Sequence, residues 1–238
     1  MHKFWKGIIK PIFIEENVKS IVEIGSEFGD NTFNILEYCS ENEGHLTAID
    51  PAPAFDYQKL EEEHGCFTLI KDISLNVLSK IKKYDAVLID GDHNWYTVFN
   101  ELKIVEKSAL NNNKFPIVLL HDTEWPYARR DMYYFPETIP TEFRKPYANK
   151  GMLPGHSELI APESELVEKS MNRTLNNALF EGGEKNGVLT AIEDFINESS
   201  FPLTLYKLPH HYGLGILFHN NKKLQLFIED LLNKYDGN

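Results

Sequence analysis

Acidic side chains and histidines gather at the ends of two apolar segments of the chain. Asp90, Asp92 and His93 lie in "LIDGDHNW", and His121 and Asp122 lie in "LLHDT". If the two segments are neighbouring parallel strands, these side chains meet at the carboxyl edge of the sheet, where ligands bind in open α/β proteins. Carboxylates and imidazoles that meet there can bind a divalent ion or act as acid and base. The pattern therefore predicts a site of proton transfer or of metal binding.

A second stretch that could bind a ligand is "IVEIGSEFGDNT", residues 21–32, in which an apolar strand runs through a glycine turn into a helix. Glycines in such a turn let the backbone approach a ligand closely, and the helix behind it offers free N–H groups. The dinucleotide-binding pattern G-x-G-x-x-G needs a middle glycine, and Glu27 occupies that place here. The turn is therefore expected to bind something other than a pyrophosphate.

Two acids near this turn indicate the kind of ligand. Glu23 lies on the strand before the turn, and Asp50 ends the next strand about twenty residues later, where an acid can hold both hydroxyls of a ribose. A positively charged nucleoside suits this arrangement, and S-adenosylmethionine carries an ammonium and a sulfonium group that Glu23 would favour. A tight turn without a ligand, with Asp50 merely preceding the turn "DPAP", is the weaker alternative.

Short Val/Ile-rich runs alternate with amphipathic stretches along the chain, which is typical of βα units that build a mostly parallel sheet. We expect parallel strands at 20–25, 45–50, 66–70, 85–90 and 116–122, with helices at 30–40, 56–63, 74–82 and 95–109. Further along, a helix at 187–199, an antiparallel hairpin of strands at 202–209 and 212–219, and a final helix at 222–235 are expected. The fold class is α/β, Rossmann-like and doubly wound.

Residues 124–186 show no clear strand, and a structureless loop of that length is improbable in a compact domain. We expect an insertion with helical pieces around 164–180 that covers the acceptor side as a lid within one domain, 1–238. Its aromatic residues either pack the insertion onto the domain or line an acceptor pocket. They are Trp125, Tyr127, Tyr133, Tyr134, Phe135 and Tyr147.

The overall composition narrows the choice of partners. The formal net charge is −12, from 36 acidic and 24 basic side chains, so nucleic acid is not an expected partner. The two cysteines, Cys39 and Cys66, have no CxxC spacing, which favours a reducing cytoplasm. No apolar run reaches the roughly 18 residues that span a bilayer, so no membrane contact is expected. We expect a small-molecule acceptor, and a homo-oligomer is left open.

Four motifs in order, "VEIGSEFGDNT", "LTAIDP", "YDAVLIDGDHNWYTVFNEL" and "VLLHDT", resemble the class I S-adenosylmethionine-dependent methyltransferases. Within that class the chain is most similar to the macrocin O-methyltransferase-like and cephalosporin hydroxylase-like group, over about residues 18–123. The resemblance implies a seven-stranded sheet with an antiparallel hairpin at one edge. The chain lacks the G-x-G-x-G pattern of the broader superfamily, whereas its GSxxGxxT form suits the closer group.

The resemblance also implies a set of residues that bind S-adenosylmethionine. Asp50 would hold the ribose, and Asp72 with Ile73 would border the adenine. The methionine part would lie over Gly25, Ser26 and Gly29, with Asn31 and Thr32 closing the turn. Glu23 and Asp90 complete the expected cofactor-binding set.

In metal-dependent O-methyltransferases of this kind, acids at the ends of strands four and five hold a magnesium ion. The matching positions are Asp90, His121 and Asp122. Because magnesium prefers oxygen ligands, His121 makes manganese or another transition ion at least as suitable. Two carboxylates that point at one spot repel each other unless a cation or a proton lies between them, which inclines the choice towards a metal.

The alternative to a metal is proton transfer by the side chains themselves. His93 or His121 would take the proton of the acceptor, and Asp122 or Asp90 would orient the imidazole. Asp92 corresponds to the proposed base of the macrocin-like group. The expected activity is transfer of a methyl group to an oxygen, with a nitrogen as the second choice, of a small natural-product or sugar-like acceptor. A cephalosporin hydroxylase-like activity and a non-catalytic cofactor-binding protein are the competing hypotheses.

Overall fold

The computed structural model describes residues 1–235, and the chain divides into two compact units. The first unit comprises residues 1–91, 104–121 and the chain from Ser199 onward. The second comprises 92–103 and 122–198, so it contains the expected insertion together with the start of one helix and all of another. The last three residues of the expected domain, 236–238, lie outside the described residues.

The helices and strands of residues 1–235 have the following bounds. The α-helices are α1 (Lys10–Glu15), α2 (Asp30–Asn42), α3 (Tyr57–Glu63), α4 (Ser74–Val77), α5 (Trp95–Asn112), α6 (Val188–Glu198) and α7 (Lys222–Lys234). The strands are β1 (Ser20–Ile24), β2 (His45–Ile49), β3 (Phe67–Ile70), β4 (Ala86–Ile89), β5 (Ile117–His121), β6 (Met132–Tyr133), β7 (Tyr147–Asn149), β8 (Asn176–Ala178), β9 (Leu203–Leu208) and β10 (Leu214–His219).

The first unit contains a seven-stranded sheet in the order β3-β2-β1-β4-β5-β10-β9. The first five of these strands are parallel, and β10 runs antiparallel to both β5 and β9. The expected fold class and its edge hairpin are therefore confirmed. The strand order reverses between β1 and β4, and ligands of open α/β sheets bind outside the carboxyl ends of the strands at such a point.

The parallel strands are buried because their sequences are nearly continuous apolar runs, as strands covered on both faces require. All four residues of β4, "AVLI", are buried.

Residues 2–15 before the first strand are also helical, which was not expected from the sequence. Phe4, Trp5 and Phe13 of this segment belong to the main hydrophobic core, and the Tyr38 hydroxyl of α2 donates hydrogen bonds to the Phe13 and Val18 carbonyls.

Two expectations about local structure were wrong. The insertion contains a small antiparallel sheet, β6-β8-β7, and the span 164–180 holds a 3₁₀ turn at Val167–Lys169 and strand β8 in place of a helix. The fully buried Asn177 anchors β8, since its amide donates to the Lys150 and Asn172 carbonyls. The sequence around Asn177 contains no pattern that predicts these hydrogen bonds. The expected helix at 74–82 is only the short α4 followed by a 3₁₀ turn.

Within 1–235, no helix combines the length and the apolar character needed to cross a bilayer.

A close backbone approach fixes the geometry between β1 and β4. Gly25 follows β1 with a φ of +83°, and a Cβ atom there would lie 2.3 Å from the Asp90 carbonyl oxygen and 2.6 Å from the Gly91 Cα. Both neighbours are backbone atoms, so no side-chain rotation could relieve the contact. Only glycine therefore fits this position.

We expect Gly25→Ala to lower the free energy of unfolding by more than about 3 kcal/mol, because it adds a backbone clash to the strain of a positive φ. Gly183→Ala is the matched control: its φ is +85°, and nothing lies within 4 Å of the added Cβ. The control should cost only roughly 1–2 kcal/mol. Urea denaturation measures both, and equal losses would contradict a special role for the β1–β4 approach.

Candidate active site

The glycine turn of the first unit is held by the carboxylate of Asp50. Asp50 Oδ2 accepts hydrogen bonds from the Ser26 N–H at 2.7 Å, the Ser26 hydroxyl at 3.1 Å and the Glu27 N–H at 2.8 Å, while Oδ1 accepts from the Ala52 N–H at 2.7 Å. Gly29, with a φ of +85°, ends the turn and caps α2. The expected ribose contact of Asp50 stays a prediction, and the structure adds that Asp50 shapes the turn.

Glu23, Asn31 and Thr32 form one hydrogen-bonded group behind the turn. Asn31 Nδ2 donates to Glu23 Oε1 at 2.8 Å, and the Thr32 hydroxyl donates to Oε2 at 2.6 Å. Glu23 is only 1% exposed, and burial raises the pKa of its carboxyl from 4.5 to about 7, against the opposing effect of the two hydrogen bonds. The three predicted residues are therefore together, and they link β1 to the first turn of α2.

Asp72 and Ile73, expected at the adenine, lie at the start of α4. Asp72 Oδ1 accepts from the Ile73 N–H at 2.8 Å and from Asn76 Nδ2 at 2.9 Å. The hydrogen bond from Asn76, followed by that from the backbone, lowers the pKa of the Asp72 carboxyl. Their expected contact with the adenine stays a prediction.

Asp90 and His121 meet at the carboxyl ends of β4 and β5. These strands are paired in parallel, with Ile89 opposite Leu120, and His121 Nδ1 lies 3.1 Å from Asp90 Oδ1. The other carboxylate oxygen of Asp90 accepts from the amino group of Met1 at 3.0 Å. The first unit thus contains one of the predicted acid–imidazole pairs.

Rings that the sequence analysis did not connect with this pair surround His121. Phe4 contacts the His121 ring at 6.2 Å between centroids, and Tyr212 contacts it at 6.4 Å, both in edge geometry. Phe4 comes from the N-terminal helical segment and Tyr212 from the turn of the β9–β10 hairpin. Only the three-dimensional fold brings these distant segments to His121.

His93 and Asp122 form the corresponding pair of the second unit. His93 Nε2 lies 3.5 Å from Asp122 Oδ2, an ion-pair distance longer than a standard hydrogen bond, and the Asp122 side chain is only 6% exposed. Tyr127 packs against the His93 ring at 5.3 Å between centroids, and Tyr134 packs at 6.1 Å. Of the aromatic series in the insertion, these two contact a predicted catalytic residue.

Asp92, the third predicted catalytic residue, precedes His93 in the chain and accepts hydrogen bonds from residues of α5, of the loop before it and of the insertion. Its Oδ2 accepts from Asn94 Nδ2 at 2.6 Å and from the Thr97 hydroxyl at 3.1 Å, while the Tyr134 N–H lies 3.5 Å from Oδ1. Burial raises the pKa of the Asp92 carboxyl, and neighbouring His93 opposes that shift. Asp92 therefore ties the loop before α5 to the first turn of that helix and to the insertion.

A family model described as a methyltransferase domain matches residues 22–123. This span contains the glycine turn, Asp50, and both strand ends that carry the acid–imidazole pairs. The matched domain and the seven-stranded sheet agree with the class expected from the sequence, the class I S-adenosylmethionine-dependent methyltransferases, and the family model covers less than half of the chain.

Two solved structures show the same fold. A Staphylococcus aureus protein assigned as a caffeoyl-CoA O-methyltransferase is 16% identical with a TM-score of 0.51, over 89% of this chain and 81% of that one. The Burkholderia thailandensis 1,6-didemethyltoxoflavin-N1-methyltransferase, solved with 1,6-didemethyltoxoflavin and S-adenosylhomocysteine, is 10% identical with a TM-score of 0.50, over 92% and 78%. Identities this low establish a likeness of fold alone. No curated protein matches the chain.

The raised pKa of Glu23 predicts a specific pH dependence of stability. Because the pKa is about 7 in the folded protein and 4.5 ordinarily, the folded state binds more protons than the unfolded chain between these values, so the free energy of unfolding falls as the pH rises through this window. Glu23→Gln should remove this contribution and become more stable relative to wild type by up to about 3 kcal/mol above pH 7.

Urea denaturation of wild type and Glu23→Gln between pH 4.5 and 8 measures this difference. Glu37→Gln, an exposed site on the same helix that Glu23 contacts, is the control and should follow the wild-type curve. Parallel curves for Glu23→Gln and wild type would show that Glu23 does not titrate in this range.

Asp50→Ala should weaken cofactor binding by ~2–3 kcal/mol, because it removes the acceptor that shapes the turn and the predicted ribose partner. Calorimetry with S-adenosylhomocysteine measures the loss. Asp56→Ala serves as the control, since Asp56 is an exposed acid whose carboxylate caps α3 by accepting from the Lys59 N–H. Equal affinity in Asp50→Ala and Asp56→Ala would remove the cofactor role of Asp50.

Proposed function

We propose that this protein transfers a methyl group from S-adenosylmethionine to an oxygen of a small natural-product or sugar-like acceptor, and that His93 is the base. The observation that carries the proposal is the pairing of His93 Nε2 with the buried Asp122 carboxylate at 3.5 Å. A carboxylate in this position orients an imidazole and stabilises its protonated form.

An oxygen acceptor explains why a base is useful. As the new bond forms between the acceptor oxygen and the methyl carbon, the bond between that carbon and the sulfonium sulfur breaks and leaves a neutral thioether. The hydroxyl proton passes to the imidazole of His93, and the imidazolium is stabilised by Asp122. A neutral amine is a stronger nucleophile than a neutral hydroxyl and can lose its proton after the methyl group has transferred, so it depends less on such a base.

The surroundings of His93 support a small acceptor with a ring or several hydroxyl groups. Both Tyr127 and Tyr134 contact the His93 ring. Tyr127 is buried, whereas 48% of Tyr134 is exposed. Tyrosine rings offer an apolar face for stacking and a hydroxyl for hydrogen bonding, which suits sugars and phenols alike. The acidic groups nearby disfavour an acceptor with several negative charges.

A metal-assisted version of the same transfer is the second candidate, with Asp90, His121 and Asp122 as the ligands. Its support is the 3.1 Å separation of Asp90 Oδ1 and His121 Nδ1, which suits neighbouring ligands of one ion as well as a hydrogen bond. The mixed oxygen and nitrogen donors fit manganese or another transition ion. Such an ion would lower the pKa of a bound acceptor hydroxyl.

Two other activities compete with methyl transfer, a cephalosporin hydroxylase-like reaction and cofactor binding without catalysis. Asp122 favours catalysis over cofactor binding alone, because an imidazole beside a buried carboxylate is the arrangement that general-base catalysis uses. The experiment that tests the proposal is incubation of the protein with methyl-labelled S-adenosylmethionine and a panel of phenols, catechols and glycosides. Label in a product ether supports it, and cofactor binding without any labelled product rejects it.

His93→Ala should lower kcat by about 10²–10⁴-fold with little change in the KM for S-adenosylmethionine, since general-base catalysis contributes this much. The assay uses the panel acceptor that the wild type methylates fastest. His156→Ala, an exposed histidine of the same unit, should retain wild-type kcat. A fully active His93→Ala would transfer the role of base to Asp92 or His121.

Treatment with EDTA separates the two versions of the mechanism. If His93 and Asp122 act without a metal, chelation leaves kcat unchanged. A loss of turnover that manganese restores would establish the metal-assisted version instead.

A further inference from the structure

Buried Asp131 lies in the insertion, outside the residues discussed so far, and it carries an unusual set of contacts. Its side chain is 0% exposed, and its Oδ1 accepts from two backbone donors, the Trp95 N–H and the Gly187 N–H, both at 2.7 Å. Its Oδ2 accepts from the Tyr133 hydroxyl at 2.8 Å. A single carboxylate thus joins the first residue of α5 to the residue that precedes α6.

The segment around Asp131 also contacts the loop that carries His93. The Met132 N–H donates to the His93 carbonyl at 3.0 Å, and the Asp131 carboxylate accepts from the N–H of Trp95, the first residue of α5, two residues after His93. Tyr134 contacts the residue before His93 and His93 itself: its N–H lies 3.5 Å from Asp92 Oδ1, and its ring contacts the His93 ring. Asp92, just before His93, and Trp95, two residues after it, are therefore both hydrogen-bonded to segment 131–134.

We infer that Asp131 is a positioning residue that sets the orientation of His93 towards Asp122. It touches no reacting group itself. Its effect runs through the Trp95 N–H, which fixes where α5 begins, and through Met132, the next residue, which fixes the His93 carbonyl. The inference rests on the proposed function, since it assigns Asp131 a role in presenting the proposed base.

The strength of this connection follows from burial. Burial raises the pKa of the Asp131 carboxyl to about 6, while the Gly187, Trp95 and Tyr133 donors oppose the shift. Hydrogen bonds to a buried charged acceptor are stronger than neutral ones, and leaving their donors unpaired is costly. Loss of the carboxylate would therefore release Trp95 and the loop before it, and a displacement of about 1 Å at a catalytic group can reduce a rate by about 10²-fold.

The experiment uses the full chain and reads the position of His93 directly. In wild type, NOEs are expected between the rings of His93 and Tyr127, whose centroids lie 5.3 Å apart. Asp131→Ala should lose or strongly weaken these NOEs. Asp131→Asn should keep them, because its amide oxygen still accepts from the Trp95 and Gly187 N–H groups.

A matched control separates positioning from general destabilisation. Glu106 is also a buried carboxylate with three donors, the Ser199 hydroxyl, the Ser200 N–H and the Ser200 hydroxyl, and it belongs to the first unit. Glu106→Ala should lower stability as Asp131→Ala does while leaving the His93–Tyr127 NOEs intact. If Asp131→Ala does not fold, Asp131→Ser takes its place, since its hydroxyl keeps a polar group in the buried site but offers one oxygen in place of two.

Turnover of the fastest panel acceptor gives the second measurement. Per folded protein, Asp131→Ala should lose about ten- to hundred-fold in kcat with the KM for S-adenosylmethionine nearly unchanged, and Asp131→Asn should recover most of it. A folded Asp131→Ala or Asp131→Ser with wild-type NOEs overturns the inference. If His93→Ala retains full kcat, the proposed base fails, whereas loss of the NOEs in Asp131→Ala would still support the positioning role.

Discussion

The approach of Gly25 to the Asp90–Gly91 backbone is the constraint on which the glycine turn after β1 depends. It brings the end of β1 against the end of β4 at the point where the strand order reverses. Any Cβ there would separate the two strand ends, and the turn that begins at Gly25 would move with it. The Asp50 carboxylate and the Glu23 group then hold a turn whose starting point is already fixed by sterics.

Buried carboxylates recur as the parts that hold backbone in place. Asp50 accepts from two N–H groups of the glycine turn and one beyond it, and Asp131 accepts from one N–H at the start of α5 and one just before α6. In each case charge-assisted bonds to several donors offset the cost of removing a carboxylate from water. Asp50, which the sequence predicts as a ligand-binding acid, thus also performs a structural task.

The architecture could be predicted because each parallel strand is a local apolar run that ends in glycine or a polar residue. β1, β2, β4 and β5 all follow this rule, and their motifs carried the family resemblance as well. The insertion could not be predicted in the same way, because its order comes from contacts between distant residues. Asp131 binds Trp95 and Gly187, 36 and 56 residues away, and the Asn177 side chain fixes β8 without any periodic pattern.

The acid–imidazole pairs bear on the electrostatic argument that favoured a metal. That argument required two carboxylates with no cation or proton between them. In the first unit, Asp90 instead contacts the His121 imidazole and the Met1 amino group, and in the second unit Asp122 contacts the His93 imidazole. Each carboxylate therefore has its own group that can carry a positive charge. These pairings reduce the repulsion between carboxylates without an ion, so the case for a metal depends on the donor geometry of Asp90 and His121 and on the chemistry of the acceptor.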